Sequence, residues 1–164
     1  MSESFEVRRI SPDSIGGALQ KAERYRLLNQ PEQAESICLD ILDVDPGNQQ
    51  SLVMLILALT DQLGAADHGA RKAHDYIPRL TDEYSRAYYS GIIAERQARA
   101  FLHRGRARGS AFEAFREAMD CFEKAAAIRP DGDDDALLRW NSCVRTIRGA
   151  NLQPRFDEGE PPLE

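Results

Sequence analysis

Ala34, Cys38, Ile41 and Pro46 recur at the same spacing as Ala118, Phe122, Ala125 and Pro130. In both places a small residue is followed four positions on by an apolar one, three later by another, and five beyond by a proline. The stretches are QAESICLDILDVDPGN and EAMDCFEKAAAIRPDG. A helix that repeats together with its terminating proline marks a stacked helical solenoid. Such a unit cannot bury its apolar stripe alone, so the chain must supply neighbours for it.

These residues resemble the tetratricopeptide repeat family, whose unit is a helix-turn-helix of about 34 residues. Ala22 and Tyr25 stand at the small and aromatic positions of the family's first helix; Ala34, Cys38 and Pro46 match the small residue, the Phe and the closing Pro of its second. Ala18 and Lys21 stand where the family has Trp and Leu. Small residues let paired helices approach closely, and proline stops the second helix because it cannot continue the hydrogen-bond ladder. The resemblance implies an all-α fold: a short right-handed superhelix of three antiparallel helix pairs plus a C-terminal capping helix.

A chain of 164 residues, 42% hydrophobic and 29% charged, suits one soluble domain with a real core. The net charge of -6 argues against general nucleic-acid binding. SLVMLILAL is too short to cross a membrane, and MSESFEVRRI lacks the apolar core of a secretion signal. Cys38, Cys121 and Cys143 fall on helical patterns and read as buried reduced thiols, so the expected compartment is the cytoplasm.

Along the chain, residues 1–13 read as a polar arm and 14–149 as the helical domain. Its repeats span about 15–48, 49–82 and 83–132, with a cap at 133–149. Pro31 suits the first position of the second helix, and Gly64 the end of the third. The fourth helix, expected over about 66–80, fits best when shifted by two residues, which gives Ala70 and Ile77 the apolar roles. In the third pair the small residues Gly91 and Ala118 are twenty-seven apart, against twelve for Ala22 and Ala34. Each helix of that pair should therefore be longer by about two turns, or roughly 11 Å. Ser110 and Glu113 have capping-box spacing for the returning helix. Leu137, Trp140 or Asn141, Val144 and Ile147 form the stripe of the closing helix, and the acidic, Pro-rich 150–164 reads as a disordered tail.

The resemblance places a partner-binding groove on the first helices of successive pairs. By register it is lined by Leu19, Glu23, Arg26, Leu27, Gln50, Val53, Leu57, Thr60, Tyr88, Ile92, Glu95 and Arg96. The family's carboxylate clamp is not expected, because Leu19, Glu23 and Val53 or Met54 stand where its polar groups are needed. A second candidate is a basic hairpin tip of Arg99, His103, Arg104, Arg106 and Arg108, which reads either as an anionic docking site or as a solvated surface. Asp131, Asp133, Asp134 and Asp135 are no calcium loop, since its sixth and twelfth places hold Ala136 and Ser142. Carboxylates at a helix N-terminus explain that cluster. His68, His74 and His103 lack ligand spacing, and no phosphate loop or nucleophile elbow occurs, so neither a metal, a cofactor nor catalysis is expected.

The expected function is non-catalytic: an adaptor or scaffold holding a protein or peptide in the groove. A secretion-type chaperone and a self-associating homodimer are the alternatives. The register makes one direct prediction. Ala34→Leu forces bulk between close-packed helices and should lower the unfolding free energy by about 1–3 kcal/mol in denaturant titration. A neutral result would contradict the register.

Overall fold

Proline and asparagine set the first turns of the chain. Asn29 takes a left-handed backbone (φ 59°), and the Gln30 amide donates to the Tyr25 carbonyl at 2.8 Å, ending one helix just before Pro31 opens the next. The structure, a computed structural model, describes residues 3–63, 68–105 and 108–154, with the His68 side chain excepted. Among these residues there are seven α-helices and no strand. They are α1 (Ile15–Leu27), α2 (Pro31–Val44), α3 (Gln49–Thr60), α4 (His68–Tyr76), α5 (Glu83–Arg104), α6 (Arg108–Ala127) and α7 (Asp135–Gly149). Single 3-10 turns precede α1 at Pro12–Ser14 and follow α4 at Ile77–Arg79, so Pro78 sits beyond the α-helix it would break.

Side-chain caps fix two further helix starts. Asn48 accepts from the Ser51 amide at 2.9 Å and opens α3, and Asp82 accepts from the Ser85 amide at 3.1 Å and opens α5. The Ser85 hydroxyl and amide also hold the Asp82 carboxyl below its ordinary range. Each helix packs on its sequence neighbours, while α1 also packs on α3, and α3 on α5. The first helices of successive pairs therefore lie side by side, as a repeated unit requires.

Two apolar clusters meet on α5. Ala22, Ala34, Cys38, Leu42, Leu52 and Leu55 belong to the first, which Ile93 joins. Ile92, Ala98, Phe115, Ala118, Phe122 and Cys143 form the second. The third pair is elongated as its spacing predicts: α5 has 22 residues and α6 has 20, against 13 and 14 in α1 and α2. Ala70 and Ala73 are buried and Ile77 is half-buried, in keeping with the two-residue shift in the fourth helix.

Several local expectations change. α6 already begins at Arg108, which puts Ser110 inside its first turn instead of at the cap. In α7 the buried side chains are the small Ala136 and Cys143, while Leu137 and Leu138 are exposed. Close approach selects small residues there and turns the leucines outward, leaving Trp140, Val144 and Ile147 half-buried. Asp133 serves the α7 N-terminus, accepting from the Asp135 amide at 3.0 Å. Leu152, expected in an unpacked tail, is 3% exposed and belongs to the second cluster. Gly64, the expected start of the fourth helix near Ala66, and the tail from 155 lie outside the described residues.

One close helix contact lies between α5 and α6. A Cβ built on Gly91 would stand 2.6 to 3.0 Å from three carbons of the Phe122 ring. Intrinsic propensity favours Ala over Gly in a helix by about 1 kcal/mol. Gly91→Ala should nonetheless destabilise by about 1–3 kcal/mol, and Phe122→Leu in that background should recover part of the loss. Denaturant titration decides: stabilisation by Gly91→Ala would contradict the close approach.

Candidate functional site

Where α1, α3 and α5 lie side by side they leave a groove of about 610 Å³. Its lining is Gly16, Leu19, Gln20 and Glu23 from α1, Gln49, Gln50, Val53 and Met54 from α3, and Tyr89 from α5. Positions 16, 19, 20 and 23 form one helical stripe, and 49, 50, 53 and 54 form another, so two neighbouring helices turn the same kind of face inward. Gln49 is already committed: its amide donates to Gly47 and Arg79 carbonyls, and its oxygen accepts from the Thr81 amide at 3.0 Å. It ties the α3 start to the chain entering α5. The exposed Gln20, Glu23 and Gln50 surround the apolar patch of Leu19, Val53, Met54 and Tyr89 with hydrogen-bonding groups.

Of the groove residues expected from sequence, Leu19, Glu23, Gln50 and Val53 line this cavity. Arg26 and Arg96 instead share Asp61 at the end of α3, at 2.7 and 2.5 Å. Arg96 also donates to the Leu57 carbonyl and the Thr60 hydroxyl, placing a cation on the carbonyl end of that helix. Burial draws the Arg96 pKa below its ordinary value, and Asp61 opposes that shift. Thr60 and Ile92 are buried, Leu57 is half-buried in the second cluster, and Leu27 is 82% exposed beyond the groove at the α1–α2 turn. Tyr88 turns to Phe122 (centroids 5.8 Å), leaving its neighbour Tyr89 to face the groove.

Glu95 is 1% exposed. Its carboxylate binds Arg99 at 3.2 Å and Arg139 of α7 at 3.1 Å, and lies 3.7 Å from the Cys143 thiol. The two arginines compensate a charge that would be costly to bury alone. Arg99 also donates to Ser142 and Thr146 and lies over the Phe115 ring. It is thus an α5–α7 tie and not part of a basic tip. Arg104 donates to the Leu63 carbonyl and Arg108 to the Ala150 carbonyl, so these side chains bond within the fold. His103 is exposed, and Arg106 lies outside the described residues.

The groove lining combines apolar side chains with amide and carboxylate groups. Burial pushes the Cys38 thiol up to about 11, with the Ser51 hydroxyl opposing. Burial, then the Glu95 charge, pushes Cys143 up to about 12. Both thiols therefore stay protonated at neutral pH and are poor nucleophiles. Among the described residues no cluster of three or more His, Cys, Asp or Glu could hold a metal, and no helix is long and apolar enough to cross a membrane.

Signals for Gln20, Gln49, Met54 and Tyr89 were present as inward stripes, but the choice between Tyr88 and Tyr89 depends on where α6 sits. Comparison with family models, curated proteins and solved structures finds no match.

The thiols make stability pH-dependent in one direction. Each folded pKa lies above the ordinary thiol value of about 9, so the unfolded chain loses these protons first. Their contribution is complete below about pH 9 and is lost as pH rises through 11 to 12. Urea midpoints should fall over that window. The double variant Cys38→Ala, Cys143→Ala should start less stable and fall less steeply; an equal slope would contradict the assignment.

Proposed function

We propose that this protein is a non-catalytic binding scaffold, holding an extended segment of another protein against α1, α3 and α5. The observation that carries this reading is the groove of about 610 Å³, with an apolar patch under exposed amide and carboxylate groups. An extended chain presents alternate side chains to such a surface, while its backbone seeks hydrogen-bond partners at the rim. Gln20 and Gln50 can supply both donors and acceptors. The raised pKa values of Cys38 and Cys143 favour binding over nucleophilic chemistry.

The repeated spacing of Ala34 and Ala118, and the α1–α3–α5 adjacency, support a tetratricopeptide-like right-handed superhelix as the finer description. The three free cysteines suit a reducing compartment, and the proposed setting is the cytoplasm. Displaying a random peptide library to the full chain and to Leu19→Asp, Val53→Asp tests the reading. Wild type should enrich a defined set of peptides that the double variant, still helical by circular dichroism, retains at least about tenfold less well. Equal enrichment by both proteins, or none by wild type, would overturn the groove as the binding site.

A further inference from the structure

The outward side of α7 carries an ordered pattern that the groove does not use. Asp134, Leu138, Asn141, Arg145 and Arg148 are all exposed and follow one another at intervals of four, three, four and three. That spacing keeps the four α7 residues on one helical stripe, with Asp134 just before its first turn. Leu138, the one apolar residue of the stripe, is 64% exposed. Asp134 contacts Arg129 at 3.3 Å yet stays largely exposed. Among the described residues the Arg145 and Arg148 side chains make no hydrogen bond or ion pair.

Charge divides along this stripe: the acid stands at the start of α7 and the two arginines at its end. Two copies placed parallel would set Asp134 against Asp134 and Arg145 against Arg145. Placed antiparallel, Leu138 lies beside Asn141 of the second copy, and one turn outward Asp134 meets Arg145 of the second copy. The two-fold axis then generates every contact twice. The same orientation sets each helix N-terminus beside the other's C-terminus, which the helix dipoles favour. We propose that the Asp134–Leu138–Asn141–Arg145 face of α7 pairs antiparallel with the same face of a second copy. The groove lining comes from α1, α3 and Tyr89 of α5 and shares no residue with this contact, so the two proposals stand independently.

Sedimentation equilibrium on the full chain tests the pairing. Wild type should reach twice the chain mass as concentration rises. Asp134→Arg alone and Arg145→Asp alone should each weaken dimerisation at least about tenfold, because each creates like-charge contacts across the axis. Both changes in one chain restore opposite charges and should bring the dimer back, while Arg116→Asp on α6 should leave it unchanged. Circular dichroism confirms that each variant is folded; Arg145→Asp should barely change stability, while Asp134→Arg should lower it modestly through loss of the Arg129 contact and of an acid at the α7 N-terminus. Wild type remaining monomeric at every concentration, single reversals that leave the dimer intact, or a double variant no better than the singles would each overturn the proposal.

Discussion

A carboxylate with almost no access to water governs how the C-terminal half is built. Glu95 lies near the middle of α5 and is 1% exposed, and an unpaired charge there would be strongly unfavourable. Arg99 from its own helix and Arg139 from α7 compensate it. The pairing fixes α7 in rotation and in height. Beside it Ala136 and Cys143 pack into the interior, and Leu137 and Leu138 face outward. The elevated Cys143 thiol follows from the same burial and the same charge.

An analogous but more exposed clamp orders the other half. Asp61, just past α3, draws Arg26 from α1 and Arg96 from α5 to one point. Three first helices are thereby tied near one end, and the groove opens between them with Leu19, Val53, Met54 and Tyr89 inside. Arginines on the inner face thus act as struts between helices. The apolar patch and the exposed Gln20, Glu23 and Gln50 remain as the open surface of the groove.

Local rules of sequence carried far in this chain. The Ala34 and Ala118 repeat marked helices packed through small residues, Pro31 and Pro46 bounded α2, and the Gly91–Ala118 separation foretold the long third pair. What spacing could not show was the destination of long charged side chains. Arg99, Arg104 and Arg108 read as a free basic run because their partners, Ser142, Leu63 and Ala150, are remote in sequence. Leu152 was hidden likewise: one apolar residue after a helix has no period, and only the tertiary fold gives it a pocket. The choice of Tyr89 over Tyr88 for the groove required knowing that Phe122 claims Tyr88.

The central claim is that the buried Glu95 joins α5 to α7 through Arg139. A double-mutant cycle measures it most directly: the unfolding free energies of wild type, Glu95→Gln, Arg139→Gln and the variant with both changes. The account predicts a coupling energy of about 1–3 kcal/mol, with the double variant less unstable than the sum of the single losses. Additive losses, with no coupling between the two positions, would contradict it.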